Sequence, residues 1–206
     1  KEFTQDLVTE LKQVEEPFNF LYVGHWLQGG LGEDRKDTGM LLKVFLETFK
    51  NKKKKPGLIM KTSGATVSVL DREDILKKIT DIKETIKGDL PNVYLLHGDL
   101  TDDEMNGLYN HPKVKAHVTL THGEGYGRPL LEASISGKPV IASNWSGHLD
   151  FLPKDNAILL GGGLDEVPKR AFPDDMYAES SQWFTVNYPE ASVVMKNVYD
   201  NYKKYT

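Results

Sequence analysis

The stretch from Thr121 to Gly147, THGEGYGRPLLEASISGKPVIASNWSG, constrains the fold more than any other part of the chain, because loop, helix and strand signals follow one another there without a gap. His122-Gly-Glu-Gly-Tyr-Gly127 sets three glycines among polar residues, so backbone N–H groups can approach a ligand without Cβ obstruction. Pro129 suits the first position of a helix, where a missing N–H costs nothing and φ is already set. Leu130, Leu131, Ala133, Ser134 and Ile135 carry that helix, Gly137 is placed to cap it, and Pro139 prevents its continuation. Val140-Ile-Ala-Ser143 then reads as a short apolar strand.

Two carboxylates bracket this unit, Glu124 in the loop and Glu132 on the helix, with seven residues between them. The amides of a helix N-terminus attract phosphate, whereas a carboxylate beside phosphate is repelled. Both glutamates are therefore expected to avoid phosphate and instead to accept hydrogen bonds from neighbouring hydroxyls, since an ionised carboxylate is an acceptor-only group. A sugar joined through a diphosphate to a ribose has hydroxyls at both ends and negative charge between.

The run Glu124-Gly-Tyr-Gly-Arg-Pro-Leu-Leu-Glu132, followed by Gly137-Lys-Pro-Val-Ile-Ala-Ser143, resembles the E-x7-E signature of GT-B glycosyltransferases of the large retaining class that includes glycogen and sucrose synthases. The resemblance implies that Glu124 lies near hydroxyls of a donor sugar, as the residue closest to catalysis. It also implies that amides from Gly125, Tyr126, Gly127 and Arg128 face the sugar and diphosphate, and that Glu132 holds the nucleotide ribose. Without the resemblance, the same residues read as a glycine-rich turn with a helix-start glutamate favoured by the dipole.

Elsewhere strand and helix alternate. Phe3 to Val14 has helical spacing. Phe18 to Val23 is a strand that opens into a glycine-rich loop from Gly24 to Gly32, and a helix follows from about Asp37 to Lys50. In the resembled family the equivalent segment runs Gly-Arg, a short spacer, then Lys, and both cations hold the diphosphate. Lys36 matches that lysine, but His25 stands after Gly24 where the arginine belongs, and the intervening loop is longer. Arg35, or Lys61 on the second strand, is a candidate for the missing charge, and His25 only when protonated. His97, after the third strand, falls where relatives approach the nucleotide base; a surface histidine is the other reading. Thr101 with Glu104 reads as a capping box. His117, inside the fourth strand, reads as packed. The four lysines of Lys52 to Lys55 read as a solvated turn.

Composition narrows the field. The chain has 206 residues, 39% hydrophobic and 27% charged, which suits an ordinary globular domain. A net charge of -4 carries no basic stripe for nucleic acid. Cysteine is absent, which excludes disulfides and thiolate metal sites. No apolar run has the length of a membrane span, and a cytoplasmic location is expected. No Asp-x-Asp pair or clustered His and carboxylate motif asks for a metal. The chain starts at Lys1 and not Met, read as a sign of removed upstream sequence.

The expected fold is thus α/β: a Rossmann-like open parallel sheet of about six strands with helices on both faces, one half of a GT-B fold. Residues 1–206 form a single donor-binding domain, with 175–206 as a helical extension containing Trp183 and Phe184, and a surface excursion after the glycines at 161–163. The resemblance implies binding of a nucleotide-diphosphate sugar for metal-independent, retaining transfer to an unknown acceptor. The amino-terminal GT-B domain is expected to be missing, so the isolated domain is expected to transfer poorly. A nucleotide-sugar epimerase of GT-B architecture and a non-catalytic sugar-nucleotide-binding module are the alternatives.

Overall fold

Successive residues of the central strand are buried on opposite faces of the sheet. In the computed structural model, which describes residues 11–27, 30–152, 155, 157–171, 178 and 180–206, β1 runs Asn19–His25. Its Phe20 and Tyr22 enter one apolar cluster while Leu21 enters another. The same division separates Leu58 and Met60 from Ile59 on β2 (Gly57–Ser63), and Ile141 from Val140 and Ala142 on β5 (Val140–Ser143). A period of two with apolar residues in both phases is the pattern of a parallel sheet covered on both faces.

The remaining strands of this sheet are β3 (Val93–Leu96), β4 (Val114–Val118) and β6 (Ala157–Leu160), in the order β3-β2-β1-β4-β5-β6. Every neighbouring pair is parallel. One face carries α1 (Thr38–Phe49), α2 (Val69–Glu84) and α5 (Tyr188–Asp200), whose Phe45, Ile75 and Met195 join the Phe20 cluster. The other carries α3 (Asp102–Asn110) and α4 (Arg128–Ile135), whose Leu108 and Leu130 join the Leu21 cluster. The caps are those expected: Thr101 and Glu104 form a capping box, and Gly137 leaves α4 at φ 70. The exposed lysines 52–54 confirm a solvated turn.

Two expectations are corrected at the carboxyl end. Residues 182–186 are not helical but form strand β8 (Gln182–Val186), antiparallel to β7 (Gly162–Glu166). The glycines at 162 and 163 therefore open an exposed hairpin strand, and the described residues form eight strands in two sheets. The β7 residues are all exposed, so no hydrophobic period marked them as strand, while Trp183 and Phe184 are buried by tertiary contacts. The amino-terminal residues 3–10, Gln28, Gly29 and residues 172–177 of the predicted elements lie outside the described residues. Among the described residues no helix is long and apolar enough to cross a membrane.

Strand order reverses between β1 and β4: from β1 the sheet proceeds to β2 and β3, and from β4 to β5 and β6. The loops leaving these two strands diverge and leave a crevice at their carboxyl ends, where open α/β sheets bind ligands. Phe20 anchors the region beneath, fully buried against Phe45 and Phe49 with ring centroids 6.1 and 6.0 Å away. Phe20→Ala is expected to cost about 3–5 kcal/mol in urea unfolding. Leu164→Ala, on the exposed β7 strand, should shift stability by less than about 1 kcal/mol.

Candidate functional site

The two loops at the crevice are joined first by their backbones. The Arg35 carbonyl accepts from the His122 amide at 2.9 Å and from the Thr121 hydroxyl at 3.3 Å. That junction brings Arg35 and Lys36 to Glu124. Lys36 Nζ lies 2.5 Å from Glu124 Oε1, and Arg35 Nη1 lies 3.4 Å from Oε2 and donates to the Gly123 carbonyl at 2.7 Å. Glu124 is only 8% exposed. Burial alone raises a carboxyl, but Lys36 and then Arg35 outweigh it and hold Glu124 below the usual range, so it stays ionised. Burial lowers Lys36, with Glu124 opposing that shift.

The Glu124 backbone is equally constrained. Ser146 Oγ accepts from the Glu124 amide at 3.2 Å and donates to its carbonyl at 2.6 Å, and the Gly147 amide adds a third bond at 3.0 Å. A Cβ at residue 147 would lie 2.0 Å from the Gly125 carbonyl oxygen, so only glycine permits this approach. Gly127 then adopts φ 87 as α4 begins, with Pro129 in its first turn. The Gly127 carbonyl accepts from the Leu130 and Leu131 amides at 2.9 and 3.1 Å and Pro129 has no N–H, so the candidate anion-binding amides at this helix start are those from Gly125 to Arg128.

Glu132 sits one turn along α4, paired with Arg128 Nε at 3.0 Å, while that arginine is largely exposed. Burial, and then the nearby Glu132 carboxylate, push the Tyr109 hydroxyl up. Tyr126 is exposed and its ring lies 5.2 Å from Phe151. A small cavity of about 20 Å³, lined by Lys36, Tyr109, His117, Glu124, Gly127 and Pro129, separates the pair from α4. His117 is packed as expected: burial drops its pKa to about 3, and its ring contacts Tyr109.

The other predicted residues occupy the β2 and β3 side of the crevice. Lys61 Nζ donates to the Gly98 carbonyl at 2.6 Å, and burial lowers its pKa. His97 donates from Nε2 to Asp71 at 2.8 Å and its side chain is 6% exposed; it ties β3 to α2, and is not a surface histidine. Gly24 is the penultimate residue of β1, where a Cβ would meet the Tyr22 hydroxyl at 2.5 Å. His25 Nδ1 is 3.3 Å from the Ser63 hydroxyl. Arg35, and not Lys61 or His25, is the second cation at Glu124.

Sequence reasoning missed the buried polar support beneath Arg35 and Lys36. Asp34 accepts from the Thr38 amide and hydroxyl, each at 3.2 Å, and Thr38 accepts from Tyr22 at 2.7 Å. Asp37, fully buried at φ 51, accepts from the Tyr188 hydroxyl at 2.7 Å. Its other oxygen is 3.8 Å from His122 Nε2, while His122 Nδ1 donates to the Phe184 carbonyl at 2.8 Å. Burial raises Asp37 to about 7 and lowers His122, so the facing ring nitrogen is a neutral acceptor. The only sequence signal was the Asp34 and Asp37 spacing, which by itself reads as solvated loop.

A second, larger pocket of about 410 Å³ opens on the far side of Glu124, between the Gly123 to Gly125 loop and the β7–β8 hairpin. Trp145, Gln182 and Trp183 form its outer wall. Among the described residues no three His, Cys, Asp or Glu side chains converge as a metal site.

No protein-family model matches the chain, and no curated protein sequence matches it. Solved structures do resemble it. The carboxyl-terminal domain of a group 1 family glycosyl transferase, LpcC from Francisella tularensis, superposes with a TM-score of 0.58 at 13% identity, covering 96% of this chain and 84% of that one. HepE from Anabaena, in complex with UDP and glucose, gives a TM-score of 0.57 at 14% identity, over 97% of this chain and 44% of that one. The pneumococcal O-GlcNAc transferase GtfA, in complex with UDP and GlcNAc, gives 0.52 at 17% identity, over 90% and 29%. The fold is therefore that of a glycosyltransferase GT-B carboxyl-terminal domain. This chain spans most of the isolated LpcC domain but less than half of HepE or GtfA.

A raised folded-state pKa at Asp37 means that stability from this group is complete below the ordinary carboxylate pKa and is lost as pH rises toward about 7. Asparagine keeps the Tyr188 bond and tolerates positive φ. Asp37→Asn should match wild type near pH 4 and exceed it at pH 8 by on the order of 2–4 kcal/mol, read from urea unfolding across pH.

Proposed function

We propose that this chain is the nucleotide-sugar-binding domain of a retaining, metal-independent glycosyltransferase that transfers a hexose. The observation that carries the proposal is the meeting of Lys36 and Arg35 with Glu124 at the strand-order switch, beside the open N-terminus of the helix that holds Glu132. The diphosphate takes the amides from Gly125 to Arg128 and Lys36; the ribose hydroxyls take Glu132; the sugar hydroxyls take Glu124. The neighbours with UDP and a sugar bound support this reading of the same fold.

The electrostatics divide the work. Departure of a nucleoside diphosphate concentrates negative charge on the leaving phosphate, where Lys36 and the helix dipole stabilise it. Glu124, held ionised by two cations, serves as an acceptor that orients the sugar and is unsuited to donate a proton at neutral pH. Lys61 and His97 line the nucleotide side, where Lys61 offers a further cation and His97 fixes the loop through Asp71. The acceptor site and the remaining catalytic groups belong to an amino-terminal GT-B half outside this chain, so the domain alone binds donor and transfers little. A cytoplasmic location is part of the proposal and accords with the absence of cysteine.

Calorimetry against a panel of nucleoside diphosphates and their hexose conjugates tests the reading. Lys36→Ala should weaken both ligand classes by at least tenfold, about 1.4 kcal/mol. Glu132→Ala should do the same, and Glu124→Gln should weaken only the conjugates. Failure of every nucleoside diphosphate to bind, or indifference to Glu132→Ala, overturns the assignment.

A further inference from the structure

We infer that the pocket between the Gly123 to Gly125 loop and the β7–β8 hairpin is a subsite for a pyranose ring, with the indole of Trp145 as its platform. Trp145 is 42% exposed, yet it is not loose: its ring stacks on Phe184 with centroids 5.8 Å apart and planes 6° from parallel. Trp183, beside it in the wall, stacks on His122 at 3.9 Å and 7°. Two immobilised indoles cost little further side-chain entropy when a ligand covers them.

The backbone ties this platform to the reacting end of the donor site. Ser146, next to Trp145, sits at φ 85 and ψ -167, a conformation that a residue with a Cβ rarely adopts. The strain is held by two hydrogen bonds: its hydroxyl accepts from the Glu124 amide and donates to the Glu124 carbonyl. One residue thereby ties the backbone that carries Trp145 to the backbone that carries Glu124. A ring resting on Trp145 lies next to the sugar hydroxyls that Glu124 accepts.

The chemistry of the wall selects the ligand. A pyranose presents C–H groups on a face and hydroxyls around its rim, so an indole face and a polar rim satisfy both. Arg35, 43% exposed at its side chain, offers N–H donors to hydroxyls at the rim of such a ring. Gln182 supplies an amide that both donates and accepts. The volume, about 410 Å³, falls among small-molecule pockets of roughly 300–1,000 Å³. Only the choice of ring rests on the donor-binding reading: it is either the hexose being transferred or a hexose of the acceptor.

The test is a titration of the chain and of Trp145→Ala, by calorimetry, with nucleoside diphosphates, nucleotide hexoses, and free hexosides added over saturating nucleoside diphosphate. Trp145→Phe serves as the conservative variant, and far-UV circular dichroism confirms folding. The expected result is at least a tenfold loss for a ring-bearing ligand in Trp145→Ala, partly restored in Trp145→Phe, with nucleoside diphosphate affinity within about twofold. Loss confined to nucleotide hexoses identifies the donor ring, and loss confined to free hexosides identifies an acceptor ring. Equal weakening of nucleoside diphosphate and nucleotide hexose, or no change for any sugar, overturns the subsite. If no nucleoside diphosphate binds but free hexosides still bind in a Trp145-dependent manner, the donor-domain assignment fails and the subsite stands.

Discussion

Lys36 and Glu124 meet across the one place in the sheet where neighbouring strands send their connections in opposite directions. Without that contact the two loops would each carry a desolvated charge, and an uncompensated buried charge costs several kcal/mol. With it, a cation and an anion whose side chains are 13% and 9% exposed compensate each other. The ion pair therefore does two things at once: it joins the loops that leave β1 and β4, and it places a carboxylate and an ammonium side by side at the carboxyl edge of the sheet.

Behind the pair lies a second polar layer with a different logic. Asp34, Thr38 and Tyr22 bind the β1–α1 turn to its own strand, whereas Asp37, Tyr188 and His122 bind it to segments remote in sequence. Asp37 is the costly member, since burial disfavours its charge and no cation among the described residues offsets it. Such an arrangement trades stability at neutral pH for a turn whose direction is fixed from three sides. The cations at positions 35 and 36 are aimed by that turn, so the order of the site depends on residues that never face a ligand.

The hairpin extends the same economy of placement. Its inner strand reaches the glycine-rich loop through reciprocal bonds between His122 and Phe184, and through the stack of His122 on Trp183. The hairpin is thereby part of the crevice wall. The N-terminus of α4 sits to one side of Glu124, and an aromatic surface sits to the other. Glu124 belongs to both, held at its backbone by Ser146 and at its side chain by Arg35 and Lys36.

Local signals and distant ones were unequally readable. The sheet, the α4 unit with Gly127 and Gly137, the Thr101 capping box and the candidates Glu124, Glu132 and Lys36 could all be found in the sequence, because each depends on spacing within one or two turns or strands. Arg35 emerged only as one of three cation candidates; choosing it over Lys61 and His25 required knowing which loop the Gly123 carbonyl faces. The β8 strand was taken for helix because β7, its partner, is polar and exposed and leaves no hydrophobic period. Asp37 and Tyr188 are 151 positions apart, and nothing local announces their bond. By itself the sequence determined the alternation of elements and the chemistry available at each loop, since backbone sterics and hydrophobic period act over short distances. Tertiary structure alone decided which of those loops face one another, because burial and charge pairing between remote segments exist only once the sheet has brought them together.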